Sequence, residues 1–311
     1  MSDRRILVSL PGAALRDALL ALGPLPAGVE QLEWKLDGPP PADRIDLVVP
    51  PYMGAAARLG ALEGVTTRLV QSQSIGFDDV PGALPKGHVF ANAASVHETS
   101  TAELTLALIL AAQRGIPDFV RAAGEGRWAP ARHESLADRR VLLIGYGGVG
   151  RAVEARLAPF EVELTRVASR ARSDEQGFVR GIDELPTLLP NADIVIVGVP
   201  LNDSTTGLVD AAFLAALPDG ALVVNIARGR VADTEAILAE AESGRLRFAL
   251  DVTEPEPLPA GHPLFALPNV LVSPHVGGAS TAMMPRMARL LREQIERMLR
   301  GDTPLNVVYR S

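Results

Sequence analysis

Short apolar runs alternate with helical segments through the second half of the chain, and this alternation limits the possible folds most strongly. Six such runs follow one another from Val141 onward: VLLIG, VELTRVA, DIVIVGVP, ALVVNIA, RFALDV and NVLVSP. Apolar runs of this length between helices are typical of buried parallel strands, which right-handed crossovers join into one sheet. The sequence therefore predicts an α/β fold with a doubly wound parallel sheet.

The first hundred residues predict a smaller α/β unit, with strands at ILVSL, QLEWKL, DLVVP, RLVQS and HVFANA. Near the end of the chain, an arginine-rich amphipathic segment at 281–300 predicts a helix that stops at Gly301, and a strand-like LNVVYR follows it. Because this helix comes after the last strand of the second unit, we expect it to return to the first unit. The predicted domains are then 1–97 plus 284–311, and 98–283.

A capping box at Ser100-Thr-Ala-Glu103 predicts the start of a helix that runs to about Arg114. Leucine and isoleucine side chains between 104 and 110 cover nearly all sides of this helix, so we expect it to be buried. The sequence leaves open whether it is buried between domains, between subunits or as an ordinary core helix of one domain.

Charge and composition exclude several classes of function. The net charge of −7 and the isoelectric point near 5.4 argue against nucleic acid or an anionic membrane as the main partner. The chain has no cysteine, which excludes disulfides, thiolate metal sites and a cysteine nucleophile, and we expect no metal site. The longest apolar run, LTLALILAA, is too short to span a bilayer. We therefore expect a cytoplasmic protein with a small-molecule partner.

A glycine-rich turn follows the first strand of the second unit. The segment VLLIGYGGVGRAVEARL contains Gly145-x-Gly147-x-x-Gly150 between an apolar strand and a helix. In such a turn the first glycine permits tight bending, the second lets the backbone approach a pyrophosphate, and the third lets helix and strand pack closely. The strand before and the helix after the turn make a dinucleotide site the favoured interpretation.

The next strand ends in residues that favour a phosphorylated cofactor. NAD-binding folds usually place an acid at this point for the ribose hydroxyls, whereas VELTRVA is followed by Ser169-Arg170-Ala171-Arg172. A hydroxyl and two guanidinium groups suit a 2′-phosphate, which an acid would repel. We therefore predict NADP(H) as the preferred cofactor, with NAD(H) as the alternative if the arginines are only solvated loop charges.

Three residues with chemically active side chains follow the last three apolar runs. Arg228 follows ALVVNIA, Glu256 follows RFALDV and His275 follows NVLVSP, so all three are expected at the carboxyl rim of the sheet. Arginine can pair with a carboxylate and polarise a carbonyl, and the ordinary pKa of an imidazole suits proton transfer near neutral pH. The glutamate can hydrogen-bond the second imidazole nitrogen. Each residue alone has an ordinary structural explanation, whereas together they indicate hydride transfer to a 2-keto acid.

The ordered motifs of the chain resemble those of the D-isomer-specific 2-hydroxyacid dehydrogenases, a family that includes phosphoglycerate dehydrogenase. The resemblance covers SQSIGFDD, Thr101-Ala-Glu103, the glycine turn, VPLNDSTTG, NIARGRVAD, LDVTEPEPLP and SPHVGG. It implies two Rossmann-like domains, with the coenzyme domain inserted into a smaller flavodoxin-like substrate domain. It also implies that Arg228, Glu256 and His275, in the motifs N-x-x-RG, EPLP and PH-x-G, are the catalytic residues.

The same resemblance implies further binding residues. Asp251 is expected to hold the nicotinamide carboxamide, and the backbone groups of the SIG segment are expected to bind the substrate carboxylate. The implied cofactor-binding residues are Gly145, Gly147, Gly148, Val149, Gly150, Ser169, Arg170, Arg172, Val199, Pro200, Ala227 and Asp251. The implied substrate-binding residues are Tyr52, Met53, Ser74, Ile75, Gly76 and Arg228.

Two departures from the family pattern bear on substrate and cofactor. Gln71-Ser72-Gln73-Ser74 stands where many members have a glycine- and alanine-rich stretch, and Ser169-Arg170 replaces the usual acid, as in the NADP-using glyoxylate/hydroxypyruvate reductases.

We predict a homodimeric, NADPH-dependent reductase of a small 2-keto acid that forms the D-2-hydroxy acid. The alternatives are a dehydrogenase of phosphite or another atypical substrate, and a nucleotide-sensing protein similar to the co-repressors of this fold.

Overall fold

The computed structural model describes residues 5–311 and divides them into two compact units. The first unit combines the chain up to His97 with Ser280–Ser311, and the second is Glu98–Ala279. The predicted division after 283 lies four residues beyond the division seen in the structure. Both units are α/β with largely parallel sheets, so the predicted fold class is confirmed.

The first unit is built on a six-stranded sheet in the order β14-β5-β4-β3-β1-β2. Five strands are parallel, and the sixth, from the end of the chain, pairs antiparallel with β5. The strands are β1 (Ile6–Leu10), β2 (Val29–Glu33), β3 (Leu47–Val48), β4 (Leu69–Gln71), β5 (Val89–Ala91) and β14 (Val307–Arg310), and the helices are α1 (Ala13–Ala21) and α8 (Met283–Arg300).

Helix α8 is amphipathic and packs against the first unit. Its buried side includes Met287, Leu291 and Ile295, which recur at helical spacing, while Arg289 and Arg300 are exposed. Each such side chain contributes about 1.5–3 kcal/mol on full burial. Gly301 adopts the left-handed conformation at φ +83° and ends the helix, as predicted. The helix begins at Met283, two residues later than expected.

The second unit contains an eight-stranded sheet in the order β13-β12-β11-β10-β6-β7-β9-β8. The six predicted strands are present, and a short hairpin of β8 and β9 was not predicted. The strands are β6 (Arg140–Ile144), β7 (Glu163–Ala168), β8 (Arg172–Asp174), β9 (Gly177–Gly181), β10 (Ile194–Val197), β11 (Leu222–Asn225), β12 (Arg247–Leu250) and β13 (Val270–Val272). The helices are α2 (Glu98–Gln113), α3 (Ile116–Gly124), α4 (Gly148–Leu157), α5 (Leu185–Leu188), α6 (Ala211–Ala215) and α7 (Thr234–Glu242).

Strand order places a topological switch point at β6. This strand has β7 on one side and β10 on the other, so the chain winds outward in both directions from it. Ligands of open α/β sheets bind in the crevice beyond the carboxyl ends of the strands at such a point. The glycine-rich turn directly follows β6 and therefore lies at the switch point.

The long helix α2 starts earlier than the capping box predicted. It begins at Glu98, so Ser100 and Glu103 lie inside the helix and the predicted cap is wrong. A carboxylate in the first turn interacts favourably with the helix dipole, which gives the earlier start a physical basis. Leu106 and Ile109 pack in a core cluster with the strands of the same unit, as expected for an ordinary core helix. Among residues 5–311, none of the helices combines the length and apolar character needed to cross a membrane.

Candidate active site

The glycine-rich turn has three glycines with different steric surroundings. Gly145 has φ +105°, and a Cβ there would lie 2.4 Å from the carbonyl oxygen of Gly198. A Cβ on Gly150 would lie 2.2 Å from the Gly145 carbonyl oxygen, whereas a Cβ on Gly147 would meet nothing within 4 Å. Helix α4 has no side-chain cap at its amino terminus. Open space at Gly147 beside an uncapped helix terminus fits a bound pyrophosphate.

Ser169 and Arg170 follow β7 and are exposed, while Arg172 begins β8. The Nη2 group of Arg172 donates a hydrogen bond to the carbonyl oxygen of Tyr146 at 3.0 Å, which ties this segment to the glycine turn. Within the described residues, the Arg170 side chain has no hydrogen bond or ion pair. The two arginines therefore differ, because Arg172 already has a structural partner and Arg170 has none.

Tyr146, inside the glycine turn, belongs to a polar cluster that sequence analysis missed. Its hydroxyl donates to Glu154 of α4, and Arg166 of β7 pairs with the same carboxylate. Burial and the hydrogen bond to Glu154 raise the pKa of Tyr146 to about 12. The guanidinium of Arg151 lies 5.3 Å from the centre of the Tyr146 ring. These contacts fix the turn against α4 and β7.

Arg228 lies in the turn after β11 and is half-buried. Asn225 holds this turn, because its Nδ2 donates to the carbonyl oxygen of Arg228 at 3.2 Å and its Oδ1 accepts from the N–H of Ala227 at 3.0 Å. A Cβ on Gly229 would lie 1.9 Å from the carbonyl oxygen of Thr253. Only glycine therefore lets the turn with Arg228 pack against the loop that leads to Glu256.

Glu256 and His275 form a hydrogen-bonded pair. The Nδ1 atom of His275 lies 2.5 Å from Oε1 of Glu256, and both side chains are more than one-third exposed. This contact uses one imidazole nitrogen and leaves Nε2 for another group. The backbone of His275 has φ +53°, in the left-handed region that non-glycine residues rarely adopt. Such strained residues cluster at functional sites.

Asp251 holds the loop that carries His275. Its carboxylate is buried, with Oδ1 accepting from the Ser273 hydroxyl at 2.6 Å and from the Val276 N–H at 2.9 Å. Oδ2 accepts from the Gly277 N–H at 2.9 Å, and the Asp251 carbonyl accepts from the His275 N–H at 2.8 Å. Asp251 thus accepts four hydrogen bonds that set the conformation around His275. Three of them end on the carboxylate expected to bind the nicotinamide.

The other residues expected near the cofactor belong to the second unit. Val199 and Ala227 are buried directly after β10 and β11, and Pro200 is exposed next to Val199. Gly148 and Val149 form the first turn of α4. All of these positions follow the carboxyl ends of neighbouring strands, which is the rim where the switch point lies. In the described part of the chain, no three His, Asp or Glu side chains are grouped as metal ligands.

The first unit contains the segment expected to bind the substrate carboxylate. Both backbone groups of Ser74 already have partners, because its N–H donates to the Ser72 hydroxyl at 2.9 Å and its carbonyl accepts from the Ala93 N–H at 2.9 Å. Among residues 5–311, the N–H groups of Ile75 and Gly76 donate no hydrogen bond. Ile75 and Gly76 are therefore the residues of this segment whose backbone N–H groups are left to bind an anion.

The glutamines before this segment have a structural role. Gln71 is fully buried and its Oε1 accepts from Nε2 of Gln294 in α8 at 2.7 Å. Gln73 is also buried, and its Nε2 donates to the Pro50 carbonyl at 2.8 Å. The departure from a glycine- and alanine-rich stretch at these two positions is thus explained by packing inside the first unit.

Two further side chains of the first unit, Asn92 and His97, contact the Ser74–Gly76 segment or a residue expected to wall the substrate. Asn92 orients the segment by donating from Nδ2 to the Ile75 carbonyl at 2.8 Å. Tyr52 is stacked on His97 with ring centres 5.5 Å apart, and Met53 is 69% exposed. Sequence analysis missed Asn92 and His97. The only available signal was a polar residue placed within or just after an apolar run.

Comparison with known proteins identifies relatives across most of the chain. Residues 106–277, more than half of the sequence, match the family described as D-isomer specific 2-hydroxyacid dehydrogenase, NAD binding domain. A glyoxylate reductase of Thermofilum pendens is 32% identical over 84% of this chain and 77% of that protein. A human glyoxylate reductase/hydroxypyruvate reductase is 28% identical over 89% of this chain and 90% of that protein.

Solved structures agree with this relationship. A D-isomer specific 2-hydroxyacid dehydrogenase from Xanthobacter autotrophicus Py2, crystallised with NADPH and MES, superposes with a TM-score of 0.78. It is 30% identical, and the match covers 97% of this chain and 98% of that one. The chain belongs to the D-isomer-specific 2-hydroxyacid dehydrogenases.

Proposed function

We propose that this enzyme uses NADPH to reduce a small 2-keto acid, of the glyoxylate or hydroxypyruvate type, to the D-2-hydroxy acid. The observation that carries the proposal is the 2.5 Å contact of Glu256 with Nδ1 of His275. It orients the imidazole and leaves Nε2 to donate the proton that reduction of a carbonyl requires. Both relatives named as glyoxylate reductases support this substrate class.

The chain's own residues divide the work of the reaction. When bound, a reduced nicotinamide supplies the hydride that adds to the carbonyl carbon. Arg228 binds the substrate carboxylate and polarises the carbonyl oxygen with its planar guanidinium. As negative charge develops on that oxygen, Nε2 of His275 donates a proton to it, and Glu256 stabilises the imidazolium before transfer. Asp251 keeps His275 in position.

Cofactor preference is proposed to depend on the segment after β7. Its serine and arginines would pair with a 2′-phosphate through charge-assisted hydrogen bonds, and no carboxylate stands at this strand end to bind the ribose hydroxyls of NADH. Arg170 is the main candidate, because Arg172 is already bonded to the Tyr146 carbonyl. In the first unit, we propose that the N–H groups of Ile75 and Gly76 bind the substrate carboxylate.

Steady-state kinetics test the proposed function. Glyoxylate, hydroxypyruvate, pyruvate and a bulkier 2-keto acid are each assayed with NADPH and NADH by loss of absorbance of the reduced nicotinamide. We expect the largest kcat/KM with NADPH and one of the two smallest polar substrates. Higher kcat/KM with NADH contradicts the cofactor assignment, and absence of turnover with the whole panel contradicts the reductase assignment.

A homodimer and a cytoplasmic location stay predictions. Apolar side chains on and after α3 support the homodimer, because Trp128 is 96% exposed, Val120 66% and Ile116 47%. Exposed apolar side chains that lie close together mark protein contacts more often than isolated ones do. Light scattering after gel filtration tests this, and a monomer at micromolar concentration would contradict it.

A further inference from the structure

An ion pair joins the hairpin of β8 and β9 to the helix that follows the glycine-rich turn. The Nη2 atom of Arg151, in α4, lies 3.2 Å from Oδ2 of Asp174, the last residue of β8. The Asp174 side chain is only 13% exposed, and its Oδ1 accepts from the Gln176 N–H at 3.0 Å. The carboxylate is therefore held in one position, between α4 and its own hairpin.

Arg151 lies beside the residue of the glycine-rich turn that Arg172 also contacts. Its guanidinium carbon is 5.3 Å from the centre of the Tyr146 ring, and Arg172 donates to the Tyr146 carbonyl at 3.0 Å. The Arg151 side chain is 51% exposed, so a ligand bound at this corner can reach it. Arg151 is thus a third guanidinium, beside those of Arg170 and Arg172, at the corner proposed to bind the 2′-phosphate.

Asp174 leaves two of these three guanidinium groups without a counter-charge. Among residues 5–311, neither Arg170 nor Arg172 forms an ion pair with a carboxylate, whereas the third pairs with Asp174. Arg166 of β7 takes no part, because it is mostly buried and pairs with Glu154. A phosphate monoester carries a charge of about −1.5 to −2 near neutral pH, which two guanidinium groups balance. The Asp174 carboxylate therefore sets the positive charge that is left for the cofactor.

We propose that Asp174 determines cofactor specificity by keeping Arg151 away from the 2′-phosphate, and so limits the preference for the phosphorylated cofactor. The inference rests on the proposed binding of the 2′-phosphate at this corner. A phosphate that competes for Arg151 must separate it from a fixed, mostly buried carboxylate, so this guanidinium contributes little to binding. The affinity for the cofactor without the phosphate does not depend on the pair. Once the carboxylate is neutralised, Arg151 forms a charge-assisted hydrogen bond with the phosphate.

Calorimetric titration with NADP⁺ and with NAD⁺ tests this role without relying on turnover. Asp174→Asn removes the charge but keeps an acceptor for the Gln176 N–H. We expect this variant to lower the Kd of NADP⁺ about three- to tenfold, the effect of one exposed charge-assisted contact, while the Kd of NAD⁺ stays within about twofold. An unchanged or higher Kd of NADP⁺ overturns the proposal, as does equal tightening of NAD⁺.

Two further variants test whether Arg151 is the group that Asp174 restrains. Arg151→Met leaves the carboxylate beside the phosphate without its partner, so NADP⁺ should bind about three- to tenfold more weakly. The double variant removes the whole pair, and it should return the Kd of NADP⁺ to within about twofold of the wild-type value. Tightening that persists in the double variant overturns the assignment of Arg151.

Glu175→Gln is the matched control, because it removes the same charge from the next residue, which is exposed and forms no ion pair within the described part of the chain. It should change the Kd of NADP⁺ less than about twofold, and tightening equal to that of Asp174→Asn overturns the proposal. Tighter binding of NAD⁺ than of NADP⁺ by the wild-type protein contradicts the proposed cofactor instead. The effect of Asp174→Asn on NADP⁺ affinity is measured separately from that preference, so the two failures are distinguishable.

Discussion

Two corners of the same sheet rim in the second unit are built differently. Around His275, the loop is fixed by the hydrogen bonds that it donates to the Asp251 carboxylate and by the contact of His275 with Glu256. Around Arg170, after β7, the side chain is exposed and has no described partner. Proton transfer needs a donor held in one position, whereas a phosphate can recruit an exposed guanidinium when it binds. The first corner is therefore organised before ligand binding, and the second is completed by the ligand.

His275→Ala should have the largest effect of the substitutions that test this difference. Removal of the proton donor is expected to lower kcat by about 10²–10⁴-fold. The equilibrium Kd for NADPH, measured by fluorescence titration, should stay within about twofold, because cofactor affinity depends on the other corner. Unchanged kcat removes His275 from the mechanism, and loss of NADPH binding shows that the two corners are not independent.

Glu256→Gln should have the next largest effect on kcat. The carboxylate is replaced by a neutral group, so the charge-assisted bond to the imidazolium, worth about 1.5–3 kcal/mol, is lost and kcat falls roughly 10–100-fold. Glu254→Gln, at an exposed acid two residues earlier, is the matched control. An equal loss of kcat in both variants contradicts the role of Glu256.

The sequence predicted which residues lie at the carboxyl rim of the sheet in the second unit, but it did not predict the hydrogen bonds that hold them in position. The six strands and the glycine turn could be predicted because apolar runs and glycine spacing are local signals. The hairpin of β8 and β9 could not, because it is short, mostly exposed and lacks an apolar pattern. The bonds of Asp251 to Ser273, Val276 and Gly277 were also missed, because they join residues at least 22 positions apart. The pairing of Gln71 with Gln294 spans 223 positions and has no local signal at all.

Asp251→Asn tests whether internal bonds organise the catalytic corner. One buried N–H or hydroxyl should lose its acceptor, at a cost of about 1–3 kcal/mol in the free energy of unfolding, and kcat should fall roughly tenfold as His275 loses its position. Asp210→Asn is the matched control, because that side chain caps α6 and asparagine caps equally well. Reduced NADPH affinity with unchanged kcat would instead favour the nicotinamide contact as the main role of Asp251.

Arg170→Met and Arg172→Met should separate phosphate recognition from support of the glycine turn, with the smallest effects of the four tests. Loss of Arg170 is expected to lower the ratio of kcat/KM for NADPH to that for NADH by about tenfold or less, since an exposed charge pair is screened by salt. Loss of Arg172, whose Nη2 donates to the Tyr146 carbonyl, should lower kcat/KM with both cofactors by similar factors. A ratio unchanged in the Arg170 variant means that this corner does not recognise the phosphate. A larger change of the ratio in the Arg172 variant means that its hydrogen bond to the Tyr146 carbonyl breaks when the cofactor binds and that Arg172, rather than Arg170, pairs with the 2′-phosphate.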